Sequence, residues 1–208
     1  MKPTYDLRLD LLDVLEQRLG ETLPRAAQLR DRLVQRSWRR GETLFRAGDI
    51  VSQLALIRRG VVKFSYLSPA GTEHVRDFIA EGQLAACVGA LGGDVEAGYD
   101  GRACEDTLAQ TLDLKVLRPL LESEPLWARC VSLLMHDITR HLVEREKMLL
   151  TLTPSERLAH ALSERPWLSD RVPQQDLAAY IGITPVSLSR LKARERQRSG
   201  DDFLASSG

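Results

Sequence analysis

Long apolar runs are missing from this 208-residue sequence. None approaches the ~18 residues of a membrane span, and Met1 to Leu12 alternates in charge where a signal peptide would carry an apolar core. The cytosol is therefore the expected compartment, with no membrane partner. Cysteine is scarce: Cys87, Cys104 and Cys130 are odd in number, widely spaced and free of any C-x-x-C pair. That spacing speaks against a structural disulfide or an iron-sulfur cluster and leaves them as small buried hydrophobes. Histidine is nearly as rare, four in all with no H-x-H pair, whereas a metal inside a β-barrel needs clustered histidines and carboxylates on strands. No metal, cofactor or catalytic residue is expected, and the chain does not read as an enzyme. Net charge is absent too. With 29 Lys and Arg against 29 Asp and Glu, any contact with a polyanion has to be made locally. What is present, 43% hydrophobic residues in a chain of this length, suffices for one ordinary core and a small second one.

A local cationic region lies near the C-terminus. In Val172 to Arg194, VPQQDLAAYIGITPVSLSRLKAR, apolar Leu177, Ala178, Ile181, Ile183, Leu188 and Leu191 keep helical spacing on both sides of Gly182. Two short helices sharing one small core fit that pattern. Gly182 can take the left-handed conformation that ends the first helix, and Thr184 can cap the second with Pro185 at its first position. This is a helix-turn-helix pattern. Ser187, Arg190 and Arg194 stand three and four residues apart and line one outward face. Hydroxyl and guanidinium groups so placed suit phosphates and guanine edges in a major groove. The basic run continues through Lys192, Arg196 and Arg198 against Glu195 alone. The competing reading is a solvated helical hairpin with surface arginines, since short helix pairs are common.

Upstream, Asp6 to Arg36 is charged and leucine-rich. Leu11, Leu12, Leu15, Leu19, Leu29 and Leu33 recur at roughly helical spacing around a break at Gly20 to Pro24, which predicts two helices. From Trp38 the pattern changes to short β-type runs: Glu42 to Phe45, Gln53 to Arg58, Val61 to Tyr66, His74 to Ile79 and Thr107 to Val116. Turn residues such as Ala47-Gly48-Asp49 and Ser68-Pro69-Ala70-Gly71 separate them, and such a series implies an antiparallel roll or barrel. Pro119 to Leu152 reads as one long helix, with Trp127, Val131, Leu134, Ile138, Leu142 and Met148 at three- and four-residue steps. At ~1.5 Å per residue it outreaches a small domain, and no second long helix is available to cover it. Val131, Leu134, Ile138 and Leu142 are therefore the expected homodimer interface. Thr153-Pro154-Ser155-Glu156 matches a capping box with proline in the first turn, so a new helix runs to about Glu164 after a hinge at Thr151 to Thr153. The expected fold is α+β: flanking helices and an antiparallel β-roll over residues 1–118, a long dimerisation helix over 119–152, and a helix-turn-helix domain over 153–208.

The run Gln174-Gln175-Asp176-Leu177-Ala178 followed by Gly182-Ile183-Thr184-Pro185-Val186-Ser187-Leu188-Ser189-Arg190 resembles the helix-turn-helix of Crp/Fnr-type transcription regulators. The roll resembles the same family. Gly41-Glu42 leading to Gly48-Asp49, Leu54-Ala55-Leu56-Ile57 running into Gly60-Val61-Val62-Lys63, and Gly71-Thr72-Glu73 before Phe78 and Gly82 are similar to the first half of its cyclic-nucleotide-binding-like fold. The resemblance reaches from about Trp38 to Arg194. It implies a homodimeric, sequence-specific regulator whose partner is double-stranded DNA bearing an inverted repeat. Thr184, Pro185, Val186, Ser187, Ser189, Arg190 and Arg194 are then the expected DNA-contacting residues. Family members usually place strands before the helix-turn-helix and a β-hairpin wing after it; neither Trp167 to Pro173 nor the short tail after Arg198 shows that pattern clearly.

The resemblance also implies a small-molecule pocket in the roll. Relatives that bind cyclic nucleotides hold the ribose with a Gly-Glu pair and the phosphate with an Arg-Ser pair. Counting from Gly82 places Ala86-Cys87 at the first pair, and counting back from Arg102-Ala103 places Ala97-Gly98 at the second. A buried phosphate without a cation is a costly unpaired charge, and Arg102 is the nearest substitute in sequence. The adenine-facing positions of the long helix fall at Leu142 and Val143. Cyclic AMP is therefore not the expected effector, and no other effector is readable. His74, the one histidine in the roll, is the available haem ligand, and Cys87 is a redox thiol only if a cation or helix N-terminus stands beside it. Two other classes stay in view: a ligand- or partner-binding β-roll protein that no longer grips DNA, and a metal-dependent cupin-type enzyme.

Overall fold

In the computed structural model, which describes residues 8–86 and 96–194, the run Leu54-Ala55-Leu56-Ile57 is buried on both sides. Leu54 and Leu56 join a core made with the N-terminal helices, while Ala55 and Ile57 join a second core between two sheets. The period of two along a strand requires that division. Cys87, Arg196, Arg198 and the tail beyond them lie outside the described residues.

Eight strands form the roll: β1 Val34–Trp38, β2 Thr43–Phe45, β3 Gln53–Arg59, β4 Val62–Leu67, β5 Glu73–Ile79, β6 Leu84–Ala86, β7 Asp100–Ala103 and β8 Thr107–Asp113. They make two four-stranded antiparallel sheets, ordered β1-β8-β3-β6 and β2-β7-β4-β5. Three of these strands depart from the sequence reading. Val34–Trp38 was expected to lie at the end of a helix reaching Arg36; it pairs instead with β8, Val34 opposite Thr111 and Trp38 opposite Thr107. It is an exposed edge strand, so it shows none of the alternation that marks a half-buried one. Strand β6 is three residues long, and β7 contains Asp100 and Gly101, types depleted in strands. Gly101 is needed there because a Cβ would stand 2.6 Å from the Phe45 ring.

Helices cover both outer faces. Helix α1, Leu11–Leu19, opens on a reciprocal capping box between Asp10 and Asp13, and α2 is Ala26–Arg30. The expected long helix is divided in two. Helix α3 is Arg118–Ser123 and α4 is Pro125–Thr151, because Pro125 forces Glu124 into extended backbone and then takes the first helical position. The first half of α4 is also not left for a partner. Trp127, Cys130 and Leu134 pack with Leu11, Leu15 and Leu19 of α1, and Leu134 is only 5% exposed. Arg18 of α1 reaches Asp137 of α4 at 2.9 Å. A nine-residue helix thus covers the face that was expected to need a second copy, which corrects the placement of Leu134 in a dimer seam.

Leu152 is extended and breaks the chain after α4. Thr153 and Glu156 then form the expected reciprocal capping box for α5, Pro154–Glu164. A short helix α6, Leu168–Arg171, carries the chain to α7, Gln174–Ile181, and residues 185–194 are helical and form α8. This C-terminal group packs on the outer face of the sheet that contains β4 and β5. Val75, Phe78, Ala80 and Cys104 of the roll share one apolar core with Leu158, Leu168, Leu177, Tyr180, Ile181 and Leu188.

Candidate nucleic-acid interface

Helices α7 and α8 are set by local chemistry. Gly182 has φ +78°, ending α7 in the left-handed region that glycine tolerates. The Thr184 hydroxyl accepts a hydrogen bond from the Ser187 amide at 3.2 Å and lies 2.9 Å from the Ser187 hydroxyl, so α8 starts on a side-chain cap. Leu188 anchors α8 at 1% exposure, with Leu177, Ala178 and Ile181 of α7 beneath it. Every expected contact residue points the other way: Thr184, Pro185, Val186, Ser187, Ser189, Arg190 and Arg194 are all exposed. The structure leaves these seven residues exposed along the cap and turns of a helix that Leu188 anchors from behind.

The same domain is fastened to the roll by charges that sequence reading did not single out. Lys63 of β4 donates to Asp176 of α7 at 2.9 Å and to Glu73 at 2.8 Å, and the Lys63 and Asp176 side chains are each 7% exposed. Burial alone would push the Lys63 ammonium down, but its two carboxylate partners outweigh burial and hold it above its ordinary value. A second cluster joins β5, α4 and α5: Asp77 lies 2.6 Å from Arg165 and 2.9 Å from Nε2 of His141. Burial opposes the Asp77 charge, yet Arg165 and His141 hold its carboxyl far below the usual range. A third joins α6 to the loops of the roll, where Arg171 reaches Glu81 at 2.6 Å and Glu105 at 2.5 Å. Arg145 of α4 donates to the backbone carbonyls of Val75 at 2.8 Å and Tyr180 at 2.9 Å, with its guanidinium stacked 4.1 Å from the Tyr180 ring centroid. The one signal for any of this was a lone lysine inside the apolar run Val61 to Phe64.

The effector positions carry no charged group. Ala86 and Ala97 are buried among apolar neighbours, Gly98 is exposed, and Cys87 lies outside the described residues. Arg102 sits on β7 between inward-facing Gly101 and Ala103 and is exposed on the outer face, which removes it as a phosphate partner inside the roll. The space between the sheets holds aromatic rings instead. Phe64 and Tyr99 stand 5.1 Å apart, Phe45 lies 5.6 Å and 5.7 Å from them, and the Tyr99 hydroxyl donates to the Ala86 carbonyl. Arg76, a residue the sequence reading did not name, is stacked 4.4 Å over the Tyr99 ring. These rings lie between the two sheets, and Ala86, Ala97 and Gly98 offer neither a carboxylate nor a cation. His74 is exposed on β5. Burial raises the Cys104 and Cys130 thiols to about 12 and about 11, so neither is a reactive thiolate near neutral pH. Among the described residues no group of three His, Cys, Asp or Glu side chains could hold a metal ion, and no helix is long and apolar enough to cross a membrane.

Residues 35–124, most of the roll and the start of the helices that follow, match the cyclic nucleotide-binding domain family. The transcriptional activator protein FnrA of Stutzerimonas stutzeri is 27% identical to this chain, the match covering 78% of the chain and 70% of that protein. The fumarate and nitrate reduction regulatory protein of Vibrio cholerae is 26% identical, with 79% and 70% covered. FixK2 from Bradyrhizobium japonicum has the same fold at 18% identity, with a TM-score of 0.71 over 80% of this chain and 86% of that one. Roll, long helix and helix-turn-helix occur here in the order of the FixK2 fold, and together these likenesses support a transcription regulator of the Crp/Fnr type.

Proposed function

We propose that the chain binds duplex DNA in the cytosol as a homodimer and reads an inverted repeat, one half-site for each α8. The observation that carries this reading is the exposed surface of α8, where Arg190 and Arg194 make no ion pair among the described residues while Leu188 holds the helix from behind. A single reader helix spans too few base pairs to select a site, so two copies are required. Val131, Ile138 and Leu142 keep their assignment to the seam, with Met135 and Leu149 alongside. They repeat at heptad-like steps on a flank of α4 that the chain's own core only half covers. Residues 1–118 serve as N-terminal helices and roll, 119–152 as the dimerisation segment and 153–208 as the reader. The aromatic filling of the roll supports an effector other than cyclic AMP.

The experiment is enrichment of duplexes from a random pool with the full chain. The expected product is an inverted repeat with half-site centres about 34 to 36 Å apart. Arg190→Ala then loses ~1 to 3 kcal/mol of discrimination at one base position per half-site, and Ile138→Asp yields monomers that bind poorly. A pool that stays unenriched, with only salt-sensitive uniform binding, refutes the reading and favours a roll protein that does not select DNA.

A further inference from the structure

Among the seven residues of the α8 surface, two, Pro185 and Val186, carry no polar side-chain group. Val186 is 60% exposed and belongs to none of the apolar clusters among the described residues. Leaving a β-branched apolar side chain largely in water on the second position of a helix gains little for the fold, since valine is a mediocre helix former and joins no buried cluster here. Its polar neighbours are already occupied: the Thr184 and Ser187 hydroxyls lie 2.9 Å from each other, and Thr184 also caps the Ser187 amide. Pro185 has no amide hydrogen to donate. The leading edge of α8 is thus an apolar knob, and Arg190 stands one turn behind it on the same face.

From this arrangement we infer that Val186 is a specificity-determining residue that packs on the 5-methyl group of a thymine. The inference rests on the DNA-binding reading above. The first residues of a recognition helix are those that meet base edges. On the major-groove edge of the four base pairs, the thymine methyl is the one apolar feature that a side chain without donors or acceptors can recognise. Residues four apart on a helix lie about 5 to 6 Å from each other, against a rise of about 3.4 Å per base step. The recognised thymine therefore falls within two base steps of the base pair contacted by Arg190, in each half-site.

The test separates a methyl contact from every other use of thymine. In a duplex enriched by the wild-type chain, each thymine of one half-site is replaced in turn by uracil, which keeps all hydrogen-bonding groups and lacks only the methyl. The expected result is one position, next to the Arg190-dependent one, at which uracil weakens wild-type binding about fourfold, the worth of one buried methyl group. In Val186→Ala, a substitution at an exposed helical position, the same replacement has no effect. Two results overturn the inference while leaving DNA binding intact: no uracil position matters to the wild type, or the loss is the same size in Val186→Ala. Failure to enrich any duplex overturns the DNA-binding reading, and this inference falls with it.

Discussion

Removing Lys63 should cost far more than removing the aspartate it binds. Lys63 has two carboxylate partners, Asp176 at 2.9 Å and Glu73 at 2.8 Å, whereas Lys63 is the one ion-pair partner of the Asp176 side chain among the described residues. In Lys63→Met the Asp176 carboxylate, 7% exposed, is left buried without a counter-charge, and breaking a buried pair in this way costs ~3 to 5 kcal/mol. In Asp176→Ala the ammonium keeps Glu73, whose side chain is 39% exposed and screened by water, so the loss is that of one charge-assisted hydrogen bond, ~1.5 to 3 kcal/mol. The double replacement Lys63→Met with Asp176→Leu removes both buried charges and returns to within ~1 kcal/mol of wild type, because a packed apolar pair replaces a desolvated ionic one. Urea unfolding at neutral pH, followed by tryptophan fluorescence, gives all three values, provided the slope of stability on urea is unchanged. Equal losses in the two single variants, or a double variant as unstable as Lys63→Met, would refute the assignment of Lys63 as the counter-charge of Asp176.

Two further outcomes follow from the other clusters. Because Arg165 and His141 hold the folded-state pKa of Asp77 below its unfolded value, its contribution to stability is fully present above about pH 4 and is lost as the pH falls further, through the folded pKa. The stability gap between wild type and Asp77→Asn is therefore largest at pH 7 and narrows below about pH 4; a gap that stays constant in urea titrations at pH 7, 5 and 3 contradicts this. Cyclic AMP and cyclic GMP at millimolar concentration should give no saturable heat in titration calorimetry, since Phe45, Phe64 and Tyr99 occupy the roll and Arg102 faces outward. Saturable micromolar binding that disappears in Arg76→Ala would place a phosphate against the Arg76 guanidinium and overturn that reading.

What could be read without the structure was local. The Thr153 and Glu156 capping box, the left-handed Gly182, the Thr184 cap and the inward Leu188 each depend on residues within four positions of one another. Long-range pairings were invisible for a physical reason. Lys63 and Asp176 are 113 residues apart and Asp77 and Arg165 are 88 apart, and nothing in either local pattern distinguishes a buried pair from two surface charges. Leu134 shows the same limit from the apolar side: helical periodicity fixed the face on which it lies, but whether α1 or a second copy covers that face is a matter of tertiary packing. Strand β1 escaped because leucine spacing continues through Leu33 into a segment whose exposed edge position removes the alternation a strand normally shows.

The placement of the reader on the roll has a consequence for how any effector must act. On β4 the side chains alternate, so Phe64 belongs to the ring cluster between the sheets while its neighbour Lys63 holds Asp176 on the outer face. On β5 the adjacent residues Asp77 and Phe78 hold Arg165 and pack on Tyr180, whose ring centroid is 5.4 Å from that of Phe78. A strand cannot shift one face without the other, because close-packed interiors transmit displacements rather than absorb them. Anything that rearranges the Phe45, Phe64 and Tyr99 rings therefore displaces, within one residue, the groups that fix α7 and through it α8. A ligand acts on this coupling only as far as it binds one arrangement more tightly than the other. The Lys63–Asp176 bond and the Asp77 cluster contribute to the energy that such a difference has to overcome before α7 and α8 can reorient. A ligand that entered between the sheets would therefore meet the Phe45, Phe64 and Tyr99 rings first, while one that bound outside would act on the ionic contacts of the outer face.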